Sequence, residues 1–210
     1  MTDALERALR AALPSDPAPP FDTEAAEAAS LIDVAYVEHA TPVGTLLLAA
    51  TPRGLVRVAY ADEDGSIEAS LSALARSVSP RVIAAPRRLD AARRELDEYF
   101  TGARDRFEVP LDWRLTHGFG RRVLRSTARI PYGSVSSYGQ VATAAGSPRG
   151  SRAAGNALGA NPLPIVVPCH RVLHSGGGLG GYTGGVERKL TLLAIERGSS
   201  PDAGPTRAGP

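Results

Sequence analysis

The sequence predicts an α+β chain: a three-stranded meander with helices after it, then a mainly helical half carrying a helix-turn-helix pattern. Three observations predict this. Three β-like runs precede the first strong helical periodicity of the folded part. The helical segments follow those strands instead of alternating with them, which separates α+β from α/β order. Beyond residue 117, short helices punctuated by Gly, Ser and Pro take over.

The 210 residues suit one large domain or two small ones. Hydrophobic residues at 43% and charged residues at 22% fit a globular chain. No run of about 18 apolar residues occurs, so no membrane span is expected. The start, MTDALERALRAAL, carries acids and lacks a long apolar stretch, so a secretory signal is not expected and the cytoplasm is the default. A single cysteine excludes a disulfide framework and a Cys-rich zinc site.

Charge is divided. Residues 1–110 hold 18 acids and 12 basic residues, a net of −6; residues 111–210 hold 4 and 12, a net of +8. A basic second half is where a polyanion would dock. Lys189 is the only lysine among 24 basic residues.

Taken in order, residues 1–30 read as a peripheral, partly flexible extension. Leu5, Leu9 and Leu13 fit a short helix near 3–12, and the Pro-rich stretch after it reads as a loop. Residues 31–110 read as the α+β domain. VAYVEHA, TLLLAAT and GLVRVAYA are its strands, with turns at Pro42–Gly44 and Pro52–Gly54. Residues 66–77 follow as a helix with Ile67, Leu71 and Leu74 on one face. Residues 87–100 follow with Leu89, Leu96 and Phe100. FEVPLDWRL links the halves, with Trp113 read as packing at the junction. Residues 111–198 read as the second domain, and 199–210 as a disordered tail.

In the second domain, Phe119, Val123 and Leu124 mark one helix face. Ser137 and Gln140 form a capping box for the next helix, which ends at Gly146. Ser147-Pro148 reads as an N-cap and N1 start for RGSRAAGNALG. The two helices form a helix-turn-helix pattern. The second helix carries small side chains, with Arg152 and Asn156 as its long polar groups. Such a helix suits close approach to a narrow groove or tight internal packing.

Ile165-Val166-Val167 reads as a short apolar β-like run leading to Pro168-Cys169-His170-Arg171. A thiol beside His and Arg sits where its pKa can fall and where a base can make the thiolate nucleophile; a lone buried cysteine is otherwise inert. The Gly-rich stretch 174–189 lacks a phosphate-loop pattern, so nucleotide-cofactor binding is rejected. Around Tyr182 and Thr183 it can wall a pocket for a flat ligand. The last helix places Val186, Leu190, Leu193 and Ile195 inward. Glu196 near its C-terminal end opposes the helix dipole unless a partner such as His170 compensates.

IPYGSVSSYGQVA, SRAAGNALGANPLPIVVPCHRVL and GGLGGYTGGVERKLTLLAIE together resemble the O6-alkylguanine-DNA alkyltransferases, the methylated-DNA–protein-cysteine methyltransferases. The close resemblance covers roughly 118–198; the preceding domain is similar in order to the family's ribonuclease-H-like domain, and the second to its winged-helix/helix-turn-helix-like domain. The resemblance implies a single-turnover repair protein. It would move the alkyl group of O6-alkylguanine, and of O4-alkylthymine, from flipped bases in duplex DNA to Cys169. It implies roles too: His170 and Glu196 as a water-linked proton relay, Tyr138 as proton donor to the leaving base, and Arg152 as the finger filling the helical stack. Ser151, Ala153, Gly155 and Asn156 would lie along the DNA, Asn161 and Arg171 would support the site, and Tyr182 and Thr183 would frame the base pocket. No cofactor, metal, membrane or obligate protein partner is implied. Ser151 and Asn156 depart from the alanine and glycine common there, and the N-terminal extension is unusual. The competing reading is a non-enzymatic DNA-binding regulator or damage sensor.

Overall fold

A computed structural model describes residues 22–28, 31–62 and 67–198. The expected helix over 3–12 and the tail 199–210 lie outside the described residues. Contacts divide the chain into two units, Met1–Leu31 and Ile32–Pro210.

In the first unit, helix α1 (Thr23–Ala28) replaces part of the loop read from the sequence. Asp22 explains it: its carboxylate accepts from the Ala25 amide at 2.9 Å, and its carbonyl accepts from Ala26 at 3.0 Å. A capped Ala- and Glu-rich turn with no proline inside it favours helix.

The second unit opens with a mixed sheet in the order β3-β2-β1-β4. Strands β1 (Val34–His39), β2 (Leu46–Thr51) and β3 (Gly54–Tyr60) form the expected antiparallel meander. Every residue of β2 is buried, as a continuous apolar run requires of a central strand covered on both faces. Helix α2 (Ile67–Ser77) follows and packs Leu74 and Leu71 against Val34, Ala49 and Val56. A fourth strand, β4 (Val82–Ala84), extends the three-stranded expectation by pairing parallel to β1. Three residues between prolines are too few to show period-2 alternation. A 3-10 turn at Pro86–Leu89 leads into helix α3 (Asp90–Phe100), whose buried face is Ala92, Glu95, Leu96 and Tyr99.

The linker docks on the free edge of β3. Leu55 donates to the Pro110 carbonyl and the Asp112 amide donates back to Leu55, both at 2.8 Å. The Thr51 hydroxyl donates to Asp112 at 2.6 Å, and Glu95 accepts from the amides of Glu108 and Val109. Trp113 is half-buried, with the Arg125 guanidinium 5.6 Å from its ring centre.

Helices α4 (Gly118–Thr127), α5 (Tyr138–Ala144) and α6 (Ser151–Gly159) pack on one another. The Ser137–Gln140 capping box is present. The Ser147-Pro148 start signal is corrected: α6 begins at Ser151 with Gly150 as its N-cap. Ser147 to Gly150 instead closes a turn, the Gly150 amide donating to the Ser147 carbonyl at 2.9 Å, a geometry Pro favours at its second position.

The β-like run at 165–167 is also corrected. Residues 161–168 turn repeatedly, and Ile165, fully buried, has φ of 72°. Pro162, Pro164 and Pro168 remove ladder donors, and the Asn161 side chain replaces them by accepting from Leu163 and donating to the Val167 carbonyl. Beyond it, β5 (Ser136–Ser137) and β6 (Val172–Leu173) form a short parallel pair. Helix α7 (Gly185–Glu196) closes the described chain. Its expected inward face is corrected in part: Leu193 is buried as expected, but Val186 and Leu190 are exposed, and Lys189, Leu192 and Glu196 are buried instead. Lys189 and Glu196 lie two turns apart on one face, and their inward partners set the helix rotation.

Gly54 tests the docked linker. Its φ is 130°, and a Cβ there would lie 2.1 Å from the Pro110 carbonyl oxygen. Gly54→Ala is expected to lower stability by roughly 2–4 kcal/mol, read from the urea midpoint. A change within about 0.5 kcal/mol, the range of neutral surface substitutions, would show that the linker does not dock this way.

Candidate active site

Cys169 begins a 3-10 turn, Cys169–Arg171, set by Pro168 before it. The turn aims three consecutive side chains differently, which an extended strand would not do. Cys169 is 5% exposed and borders a cleft of about 850 Å³. The cleft is lined by Tyr138, Ser151, Arg152, Gly155, Asn156, Tyr182 and Thr183 among others. Eight of the residues singled out from the sequence, counting Cys169 with these seven, therefore converge on one space. Ala153 is exposed beside them on α6 but is not part of the wall.

The other four, His170, Arg171, Asn161 and Glu196, lie buried outside that wall. Asn161 Nδ2 donates to Cys169 Sγ at 3.2 Å. Glu196 Oε1 meets His170 Nε2 at 2.7 Å. Arg171 grips the same carboxylate with Nε at 2.9 Å from Oε2 and Nη2 at 2.8 Å from Oε1. The Gly133 amide donates to Oε2 at 3.2 Å. Glu196 both meets His170 and pairs with Arg171, in the interior.

Burial alone would raise the Glu196 carboxyl, but hydrogen bonds from His170 and Arg171 outweigh it and hold it at about 2. Glu196 is therefore an anion near neutrality, and His170 Nε2 carries the proton it donates. That leaves Nδ1 as a lone pair, buried and without a hydrogen-bond partner among the described residues. Burial lowers the His170 pKa, with Glu196 opposing. Burial pushes the Cys169 thiol up to about 11, against the Asn161 hydrogen bond and the Lys189 charge. The lowered thiol pKa that the neighbouring His and Arg made possible is not found: desolvation wins, and the resting group is a thiol.

Tyr138 opens α5 and leans on the cleft, its ring 5.1 Å from that of His174. A Cβ on Gly180 would lie 2.6 Å from the Tyr138 hydroxyl, so the Gly-rich loop needs its glycine there. The Thr183 hydroxyl donates to the Gly159 carbonyl at 3.1 Å, tying this loop to the end of α6. The Tyr182 hydroxyl lies 2.9 Å from that of Tyr60 on β3.

Sequence reasoning missed Tyr60, Tyr99 and Lys189. Lys189 is fully buried; its ammonium donates to the Val172 carbonyl at 2.7 Å and to the Leu179 carbonyl, joining the active-site turn to the Gly-rich loop. Its signal was its solitude among 23 arginines. A compact ammonium fits two converging carbonyls where a planar guanidinium would not. Tyr99 donates to Glu196 Oε1 at 2.7 Å, and nothing in its sequence surroundings marks it.

Residues 118–198 match the family described as 6-O-methylguanine DNA methyltransferase, DNA binding domain, and residues 34–113 match its ribonuclease-like domain. A methylated-DNA–protein-cysteine methyltransferase of Mycolicibacterium paratuberculosis is 49% identical over 116 residues, 55% of this chain and 70% of that one. The constitutive one of Bacillus subtilis is 37% identical over 164 residues, 77% of this chain and 94% of that one. The crystal structure of Mycobacterium tuberculosis OGT in complex with DNA superposes with a TM-score of 0.69 at 34% identity, covering 80% of this chain and 95% of that one.

The buried cluster predicts acid lability. Glu196 has a folded pKa of about 2 against an ordinary 4.5. Its contribution is complete above 4.5 and is lost as pH falls toward 2. His170 has a lowered folded pKa, so the unfolded chain takes up a proton first, and stability begins to fall below about 6.5. Urea midpoints from pH 7 to pH 3 are expected to drop in wild type. Glu196→Gln should be less stable at pH 7 and flatter below 4.5. Parallel curves would show that the carboxylate is not held as an anion.

Proposed function

This chain belongs to the O6-alkylguanine-DNA alkyltransferase family, and on that premise we propose that Cys169 is the acceptor of its direct-reversal, single-turnover transfer. The observation that carries the assignment is one arrangement. The chain's only cysteine borders a large cleft, and a buried His170–Glu196 pair stands outside the cleft wall.

The substrate in this reading is O6-alkylguanine in duplex DNA, and O4-alkylthymine by the same chemistry. The C6 substituent of a stacked guanine cannot reach a buried thiol, so the nucleotide rotates out into the cleft. Residues 111–198 supply the DNA-binding and catalytic surface; residues 31–110 supply its scaffold. Small side chains on α6 let backbone approach the minor groove, and exposed Arg152 fills the gap in the stack. Ser151, Ala153 and Asn156 flank it along the DNA. Affinity comes mainly from phosphate contacts.

The Cys169 proton passes through a water to His170 Nδ1, and Glu196 stabilises the imidazolium that forms. The sulfur attacks the alkyl carbon in line; the S–C bond forms as the C–O6 bond breaks, its electrons passing to guanine. Tyr138 donates a proton to N3 of the leaving base. The proton held by His170 returns through solvent to Tyr138, so the thiol proton replaces the one guanine takes and the exchange balances. Asn161 supports the developing thiolate through the hydrogen bond it already makes, and Arg171 keeps Glu196 charged. Tyr182 and Thr183 frame the extruded base. The thioether has no second cysteine to reverse it.

Intact-mass measurement after mixing with O6-methylguanine duplex is expected to show one methyl per molecule, located on Cys169 and absent in Cys169→Ala. Repeated turnover, or no adduct on folded protein, would overturn the assignment. Arg152→Ala is expected to slow transfer from duplex DNA at least tenfold, since loss of only ~1.4 kcal/mol toward extrusion has that effect. Its reaction with free O6-benzylguanine should change little. Equal losses on both substrates would remove the stack-filling role.

A further inference from the structure

We infer that Tyr99 is a positioning residue of the transfer: from the sheet half of the molecule it donates to the Glu196 oxygen that orients His170, and so limits the basicity of the imidazole. The inference rests on the relay proposed above.

Tyr99 lies on α3 and is fully buried. Its hydroxyl is 2.7 Å from Glu196 Oε1 and 3.5 Å from His170 Nε2. His170 Nε2 meets the same Oε1 at 2.7 Å. The ring is fixed by Phe100, Phe107 and Tyr132, with centroids at 5.3, 5.4 and 5.9 Å. Phenylalanine would fill this space equally well, so packing does not call for the hydroxyl; the carboxylate does. Burial and then the Glu196 charge raise the phenol pKa, so it remains a donor throughout the working range.

Oε1 receives Tyr99, His170 and Arg171. Donors on one oxygen share its charge, and what Tyr99 takes is not available to an imidazolium. The titratable and charged groups facing the Cys169–His170 pair are Glu196 and Lys189 from α7, Arg171 from the same turn, Tyr99 from α3, Tyr138 from α5 and Tyr182 from the Gly-rich loop. Tyr99 is the one that touches both partners of the His170–Glu196 hydrogen bond from the sheet half.

The test is the pH profile of Cys169 alkylation by free O6-benzylguanine in the full chain, for wild type, Tyr99→Phe and Glu196→Gln. With Tyr99→Phe the imidazolium gains the charge the phenol shared. The limb set by loss of the His170 proton is expected about half a unit to one unit higher in pH, with the rate above it roughly threefold to tenfold faster. Site-specific 3-fluorotyrosine at position 99 keeps the shape and donates more strongly; its limb should move the other way, which secures the test if Tyr99→Phe folds poorly. Glu196→Gln should lower the limb and slow the rate above it. If it does so while both Tyr99 replacements superimpose on wild type, or slow the reaction equally at every pH, Tyr99 is structural and the inference falls alone. If Glu196→Gln leaves the profile unmoved, the relay itself falls.

Discussion

Glu196 is a carboxylate at the C-terminal end of a helix, 5% exposed. Both facts oppose a negative charge there: desolvation costs several kcal/mol, and the helix end is already negative. The charge persists only because four donor residues reach it from three places. Arg171 and His170 come from the active-site turn, Tyr99 from α3, and the Gly133 amide from the connection between α4 and β5. Meeting that demand fixes much else. The Arg171 fork determines how the 169–171 turn sits, and its remaining nitrogen donates to the Ile130 carbonyl at 2.6 Å, which holds the end of α4. Gripping Arg171 also sends His170 inward. A buried ion cluster of this kind is weak evidence of net stability. Its effect here is to tie the Cys169–Arg171 turn to α7 and to the end of α4.

The sheet half reaches the site through side chains, although no catalytic cluster was visible in its sequence. Tyr99 meets Glu196, and Tyr60 meets Tyr182 in the cleft wall. Arg188 of α7 stacks on Tyr60 with its guanidinium 4.4 Å from the ring centre, pairs with Asp62 and donates to the Val43 carbonyl. The acidic and basic halves are therefore joined at the wall of the cleft. Gly184 shows how close the fit is: a Cβ there would lie 2.4 Å from the Tyr60 ring.

What was legible in the sequence follows from range. The β1–β3 meander, the capping box at Ser137 and the helix over 118–127 rest on interactions within a few residues, and the sequence shows them. The motif around Cys169 was legible because its residues are contiguous. Contacts across 97 residues, such as Tyr99 to Glu196, leave no local mark. Neither does the rotation of α7, where Val186 and Leu190 satisfy an apolar pattern and yet face outward, because a buried ammonium and a buried carboxylate outrank two aliphatic side chains. The turn at Ile165 was misread for a related reason: its apolar run is buried as expected, but prolines and the Asn161 side chain, rather than alternation, decide its backbone.

The sequence left the state of the resting thiol open, and the reason burial decides it bears on how such a protein works. Histidine and arginine beside a cysteine suggest an activated thiolate, yet both point toward Glu196, His170 as a neutral ring, while Cys169 keeps the Asn161 amide, backbone hydrogen bonds and the Lys189 charge, which burial outweighs. A low-pKa thiolate is also the form that oxidants and stray electrophiles consume. For a chain with one cysteine and one turnover, each such event removes a molecule from service. A buried thiol near 11 avoids that loss, and it places the burden of activation on the occupied cleft. In the proposed reading, reactivity would then depend on two things at once: an alkyl carbon held against the sulfur, and an imidazole whose positive charge Glu196 would stabilise. The same desolvation that suppresses the free thiolate strengthens every electrostatic contact once the base is in place.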